Sequence, residues 1–255
     1  MSRRIRVIPY NAASASAREL SRALGGKRIR LNNSRYIPRE SDLLINWGNS
    51  NYVVTGTVQR LNLPACISLA SNKLSTMMLL QEASVKTVEW TESRSEVFSW
   101  MDEGYHVYAR KTLQGHSGNG IQLIYPDDSD IPNAKLYTKA ITGKRREWRI
   151  HVVNGKVILV QKKKRRSGYD DNPDYSDIIR NHHTGWIYSV SDTESIGEEV
   201  LDSAVKSISS LGLDFGAVDI ITQQDNHWVL EVNTACGLSG ESTLNAYVEA
   251  FKEYT

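Results

Sequence analysis

Residues 215–233 read Phe-Gly-Ala-Val-Asp-Ile-Ile-Thr-Gln-Gln-Asp-Asn-His-Trp-Val-Leu-Glu-Val-Asn. Two apolar, β-branched runs flank Gln224-Asp225-Asn226, the pattern of a β-hairpin. A three-residue loop with Asn226 in the left-handed region pairs Gln223 with His227. That register sets Asp219 opposite Glu231 and Ala217 opposite Asn233. Side chains alternate with period two, so Asp219, Glu231 and Asn233 leave the same face. Two apposed carboxylates repel unless a cation lies between them. A donor set made only of oxygens, two of them charged, favours Mg²⁺ or Mn²⁺ over Zn²⁺. A solvated acidic hairpin face is the competing reading.

At 255 residues the chain is long enough for one large domain or for two to three lobes. Its 40% hydrophobic and 24% charged content is that of a soluble globular protein. A net charge of +2 argues against nucleic acid or a membrane surface as a bulk-electrostatic partner. No apolar run approaches the roughly 18 residues of a membrane span. The start, Met-Ser-Arg-Arg-Ile-Arg-Val-Ile-Pro, lacks the apolar core of a secretory signal. Cys66 and Cys236 are too few for a disulfide framework, and the expected compartment is the reducing cytoplasm.

Along the chain, strands at Ile5–Ile8, Arg28–Leu31 and Asp42–Trp47 with a helix at Ala13–Leu24 predict a small parallel sheet in residues 1–68. Residues 69–136 follow as a central unit. Asn72 caps a helix that runs to Ala83, Val85–Trp90 is extended, and Ser95–Glu103 is helical. Strands Tyr105–Lys111 and Ile121–Tyr125 bracket Gly115-His116-Ser117-Gly118-Asn119-Gly120. Residues 137–255 form the last unit, with a strand at Tyr137–Ile141, a hairpin at Glu147–Gln161 and a polar loop at Ser167–Asp177. An amphipathic helix at Glu198–Leu211 precedes the acidic hairpin, and a helix at Ser242–Tyr254 ends the chain.

Glycines at 115, 118 and 120 allow backbone N–H groups to approach a polyanion, and Lys111 stands at the end of the leading strand. Neither a Walker loop nor a dinucleotide-binding fingerprint is present, and a plain tight hairpin would also explain the glycines. The Asn154-Gly155 turn pairs Val153 with Lys156, which sets Arg149 opposite Val160 and Glu147 opposite Lys162. Trp148, Ile150, Val152, Val157 and Leu159 then form a core face, and Glu147, Arg149, His151, Lys162 and Lys164 the other. Lys162–Arg166 reads as a solvated basic edge. Arg180-Asn181-His-His-Thr-Gly-Trp suits a substrate loop or a polar surface loop, and lacks zinc-ligand spacing.

In order, these pieces resemble the ATP-grasp superfamily, and within it the ribosomal-protein glutamate ligase branch. The resemblance spans residues 70–240. It rests on Asn72-Lys73-Leu, on Arg110-Lys-Thr-Leu-Gln-Gly-His-Ser-Gly-Asn-Gly120, on Glu147-Trp-Arg149, and on Gly212-Leu-Asp-Phe-Gly-Ala-Val-Asp219 and Leu230-Glu-Val-Asn-Thr-Ala-Cys-Gly237. The fold class it implies is α+β: a small α/β N-terminal domain, a central lid domain and a C-terminal antiparallel-sheet domain. It implies ATP as cofactor with Mg²⁺ (or Mn²⁺) on Asp219, Glu231 and Asn233. Lys73 and Lys111 would contact phosphates, with Gly115, His116, Ser117, Gly118 and Gly120 as a lid. Adenine would lie along Lys139, Ala140 and Ile141. Arg149 would meet the transferred phosphate, and Arg180 and Asn181 would serve the substrate.

Departures from the family pattern are Asn72 in place of an acid, Thr138-Lys139-Ala140 in place of a Gln-Glu hinge, and Cys236 in place of proline. The first is minor, the second bears on base selectivity, and the third predicts a thiol whose oxidation would affect activity. The implied activity is a carboxylate–amine ligase that joins a carboxylate substrate to the amine of an amino acid, peptide or protein tail. A kinase acting on a hydroxyl, and a catalytically silent nucleotide- or nucleic-acid-binding module, are the rival readings.

Overall fold

The computed structural model describes residues 3–114, 120–238 and 240–254, and these form three sheets. The first is wholly parallel, with order β2-β1-β3-β4, from β1 (Arg4–Pro9), β2 (Lys27–Arg28), β3 (Asp42–Trp47) and β4 (Gln59–Leu61). Helix α1 (Ala15–Ala23) links the first two strands and is capped by Ser14, whose hydroxyl accepts from the Ala17 N–H. Every residue of β3 is buried, as a parallel strand covered on both faces requires. Its one carboxylate, Asp42, accepts from the Arg4 guanidinium and the Tyr36 hydroxyl.

The chain continues through α2 (Pro64–Ser71), α3 (Lys73–Glu82), β5 (Trp90–Thr91), α4 (Arg94–Asp102), β6 (Val107–Arg110), β7 (Ile121–Ile124) and β8 (Leu136–Lys139). These strands pair antiparallel in the order β5-β8-β6-β7. The Asn72 carboxamide accepts from the N–H groups of Leu74 and Ser75, which starts α3 where the sequence predicts. α2 spans the expected boundary at residue 68, and β8 pairs within the central sheet beyond the one expected at 136.

The third sheet, order β11-β10-β9-β12-β13, holds β9 (Arg146–Val153), β10 (Lys156–Arg165), β11 (Trp186–Ser189), β12 (Phe215–Gln223) and β13 (Asn226–Asn233), all antiparallel. Helix α5 (Glu198–Ser210) covers one face, where Trp148, Ile150, Val152, Val218 and Ile220 pack on Val200, Ala204 and Ile208. Helix α6 (Glu241–Lys252) closes the chain. The opposite face is divided. At one end Val153, Phe215 and Ala217 are sealed by Tyr247 and Phe251 of α6 and by Trp47 of the first sheet. At the other end the same strands present Glu147, Arg149 and Asp219, so burial by neighbouring domains decides where polar groups collect. Among the described residues no helix is long and apolar enough to cross a membrane.

Both hairpins depart from the expected pairing. Gln223 pairs with Asn226, not His227, around a two-residue Gln224-Asp225 loop with φ of 52° at Gln224. The register then shifts between Asp219 and Ile220, and this bulge restores Asp219 opposite Glu231 and Ala217 opposite Asn233. In the other hairpin Val153 pairs with Lys156 as expected, but a bulge between Val157 and Leu159 moves the register by one. Arg149 therefore faces Gln161, not Val160, and Lys162 faces Trp148, not Glu147. A one-residue shift exchanges the two faces of a strand. Val160 joins the core, and Gln161 and Lys163 take the polar face.

Candidate active site

The polar end of the third sheet carries two matched ion pairs. Arg149 donates from Nε to Asp219 Oδ1 and from Nη2 to Oδ2, both at 2.7 Å, a bidentate fork from adjacent strands. Lys73, at the first turn of α3, donates to Glu231 Oε2 at 2.5 Å. The Asn233 carboxamide spans the two carboxylates, 3.1 Å from Glu231 Oε1 and 3.4 Å from Asp219 Oδ2. The expected convergence of Asp219, Glu231 and Asn233 is thus present, together with Lys73 and Arg149. The repulsion expected to demand a metal is already met by protein cations. No group of three or more His, Cys, Asp or Glu side chains able to hold a metal occurs among the described residues. The hard oxygen donors of Asp219, Glu231 and Asn233 nonetheless fit Mg²⁺ or Mn²⁺.

Burial raises the Asp219 carboxyl above its ordinary value, with Arg149 opposing. Burial acts the same way on Glu231, but Lys73 and Asn233 outweigh it and hold that carboxyl well below the usual range. Arg149 remains charged: desolvation disfavours the guanidinium, yet Asp219 drives it well above its ordinary value. The Tyr188 ring of β11 lies 4.1 Å from the Arg149 guanidinium. His151, two residues along β9, is pushed down to about 4 by burial, partly opposed by its bond to Gln161. It is neutral at physiological pH.

A second cluster adjoins through Glu147. Its carboxylate takes Lys163 at 2.7 Å, Arg145 at 3.3 Å and Arg180 at 3.6 Å. All four side chains are buried or nearly so, and the backbone oxygens of Asp177, Ile178, Arg180 and Arg145 take further donors. One carboxylate among three cations leaves positive charge uncompensated, which is costly in a buried site without an anion. Arg180 therefore joins the site, whereas the Asn181 carboxamide closes its own turn onto the Thr184 N–H. Segment 167–177 is held by Arg165, which stacks on Tyr169, Tyr175 and Trp186 and bonds Asp177.

Other expected residues lie apart. Lys111 is exposed. Lys139 is directed to Glu89 at 2.9 Å and Glu103 at 3.7 Å and packs over the Tyr105 ring. The N–H groups of Lys139 and Ala140 are donated to Glu89 and His106 oxygens, which leaves neither for a base; Ile141 is half-buried. Gly115, His116, Ser117 and Gly118 lie outside the described residues. Gly120 has φ of +76°, and a Cβ there would stand 2.9 Å from Thr112 Oγ1. The Cys236 thiol is buried, bonded to Tyr247 and raised in pKa by desolvation, which suppresses the thiolate and runs against the expected oxidation sensitivity.

The basic run 162–166 is dispersed, not presented as a patch: Lys162 packs on Trp148, Lys163 turns inward, Lys164 pairs with Asp192, and Arg165 with Asp177. Sequence reasoning missed Arg145, Lys163 and Tyr188. Nothing local marks the bulge that brings Lys163 round, or the strand that carries Tyr188. Sequence reasoning passed over Arg110 as well, although apolar Val107 and Ala109 alternating with Tyr108 and Arg110 carry a signal for it.

A parallel N-terminal sheet, a central antiparallel sheet and a C-terminal antiparallel sheet with paired carboxylates define the ATP-grasp fold. Residues 136–250 match the family described as the RimK-like ATP-grasp domain. A tetrahydromethanopterin:alpha-L-glutamate ligase from Methanocaldococcus jannaschii is 26% identical over 206 residues, covering 72% of this chain and 66% of that protein. The ATP-grasp ligase PsnB, solved with a minimal precursor, superposes with a TM-score of 0.69 at 13% identity over 100% of both chains. D-alanine–D-alanine ligase from Bacillus anthracis gives 0.64 at 15% identity over 99% of this chain and 98% of its own.

Proposed function

We propose that this protein is an ATP-dependent carboxylate–amine ligase that makes an amide through an acyl phosphate. The observation that carries the reading is the convergence, within a RimK-like ATP-grasp domain, of Asp219, Glu231 and Asn233 with Lys73 and Arg149. Among the described residues, Lys73, Arg110, Arg145, Arg149, Lys163 and Arg180 outnumber the carboxylates they face, Glu147, Asp219 and Glu231, with Asp177 also acting on Arg180. That excess of positive charge suits a polyphosphate together with a carboxylate substrate.

Asp219, Glu231 and Asn233 would hold Mg²⁺, which when bound screens the charge of the triphosphate. Arg149 and Lys73 would be released from their carboxylates to phosphate oxygens as metal and nucleotide enter. A substrate carboxylate oxygen attacks the γ-phosphorus and ADP leaves; the acceptor amine then attacks the acyl carbon, loses a proton and displaces phosphate. Charge stabilisation and alignment do the work, so no side chain need become covalently attached. The Glu147 cluster would orient the acyl donor through Arg145, Lys163 and Arg180. Adenine would lie along Lys139, Ala140 and Ile141 by stacking, since the Lys139 and Ala140 N–H groups are already donated. The M. jannaschii relative is a glutamate ligase and PsnB is solved with precursor peptides, which supports an amino acid or peptide as one partner here.

The test is phosphate release with Mg-ATP and pooled amino acids and short acidic peptides, followed by mass spectrometry. The expected product has the mass of two substrates minus one water. A product that gains a phosphoryl group would replace the reading with a kinase, and ATP binding with no turnover against any pool would favour a silent binder.

A further inference from the structure

Resemblance assigns the phosphate-facing cation of the strand before the glycine-rich loop to Lys111, yet its side chain is exposed and has no polar partner among the described residues. Its neighbour is placed differently. In β6, Val107 and Ala109 are fully buried with Trp100, Met101 and Tyr137, so alternation turns Tyr108 and Arg110 to the opposite face. That face looks toward the candidate site. The Tyr108 hydroxyl donates to the Ile178 oxygen at 2.9 Å, the same oxygen that accepts from Arg145. Arg110 lies within the electrostatic reach of Glu231. Glu231, however, is already bonded by Lys73 and Asn233.

The Arg110 Nε is buried without a hydrogen-bond partner among the described residues. A buried N–H of a charged group is costly when unpaired, so its position calls for an acceptor that those residues do not supply. The backbone on either side is fixed: the Arg110 oxygen accepts from the Lys135 N–H, and the residue pairs with Ile121 and Leu136 on the flanking strands. A guanidinium held this way presents a rigid fork that matches phosphate oxygens, which an ammonium on a flexible stem does not. Among the described residues Glu231, the carboxylate that Lys73 bonds, is also the one acidic group that acts electrostatically on Arg110 apart from the Tyr108 phenol.

We propose that Arg110, and not Lys111, is the phosphate-binding cation of this strand, taking oxygens of the ATP triphosphate through its guanidinium fork. The proposal rests on the ATP-binding reading above. It makes Lys111 a solvated neighbour and gives the central sheet a direct contact with the nucleotide on a different side chain from the one resemblance picks out.

Titration of wild type, R110Q, R110K and K111Q with Mg-ATP by calorimetry, and with adenosine by ligand-observed NMR, separates the possibilities. R110Q should weaken Mg-ATP by about 10- to 100-fold, the scale of a lost charge-assisted bond, while adenosine affinity holds. K111Q should have an effect at least about tenfold smaller, as for an exposed charge. R110K, which keeps the charge and loses the fork, should fall between, and it decides the matter if R110Q does not fold. The proposal is overturned if K111Q matches or exceeds the Arg110 variants. It is also overturned if R110Q, or R110K in its place, binds Mg-ATP as wild type does, or weakens adenosine and Mg-ATP equally, as a structural role would. Wild type that binds no Mg-ATP would instead overturn the ATP reading itself, and this proposal with it.

Discussion

The β9–β10 hairpin turns at Asn154-Gly155 with both residues at positive φ, whereas β12–β13 turns at Gln224-Asp225 with positive φ at Gln224 alone. Each carries one bulge, and the two bulges have opposite consequences. In β12–β13 the bulge offsets the shortness of the turn and keeps Asp219 level with Glu231. In β9–β10 it follows a turn of the expected length and exchanges the faces beyond it, so that Lys163, not Lys162, meets Glu147. A strand's chemistry is therefore set by turn and bulge together, since each added residue reverses which side chains look inward.

The largest expected effect comes from breaking the hairpin whose register survives. Glu231→Gln should lower the rate of phosphate release by at least about 100-fold, the scale of losing one preorganised charge-stabilising group. The circular dichroism spectrum should be unchanged. A variant within a few-fold of wild type would remove Glu231 from the site.

The sharper comparison lies in the other hairpin. Lys163→Met should reduce turnover by about tenfold or more, because it removes a buried cation from the Glu147 cluster. Lys162→Met, on the α5 side beside Trp148, should stay within about twofold of wild type, as a replaced surface charge does. Equal losses in both would mean that the bulge at Val157/Leu159 is misplaced. The smallest effect concerns the turns. Gly155→Ala places a Cβ at φ of +69° and should cost about 1 kcal/mol. Gln224→Gly should instead stabilise by a few tenths of a kcal/mol, the relief of left-handed strain less the glycine entropy. Urea unfolding midpoints would read both, and the same sign in both would contradict the turn assignment.

Most helices and strands of the three sheets follow from patterns that act over a few residues. Asn72 caps α3 because its carboxamide reaches two N–H groups of the next turn. Asp219, Glu231 and Asn233 share a face because strands alternate, although the loop between them is one residue shorter than the spacing predicts. β4, α2 and β11 lie outside the elements that the sequence predicts: β4 and β11 are short runs fixed by pairing with β3 and β10, and α2 starts without a side-chain cap. Lys139 is typical of what local reading cannot settle. Resemblance places it in a nucleotide hinge, and Glu89 and Glu103, beside β5 and α4, pair with its ammonium.

By itself the sequence determined the shared face of the paired carboxylates and the order of the motifs, because hydrophobic period and capping are local, and the α+β class followed from the family that this order resembles. Tertiary structure decided which cation meets which carboxylate. Arg149 with Asp219, Lys73 with Glu231 and Lys163 with Glu147 join residues 70, 158 and 16 positions apart. Those meetings depend on sheet order and on two bulges. The same packing left one end of the sheet face apolar under α6 and the other end charged, and so placed the site.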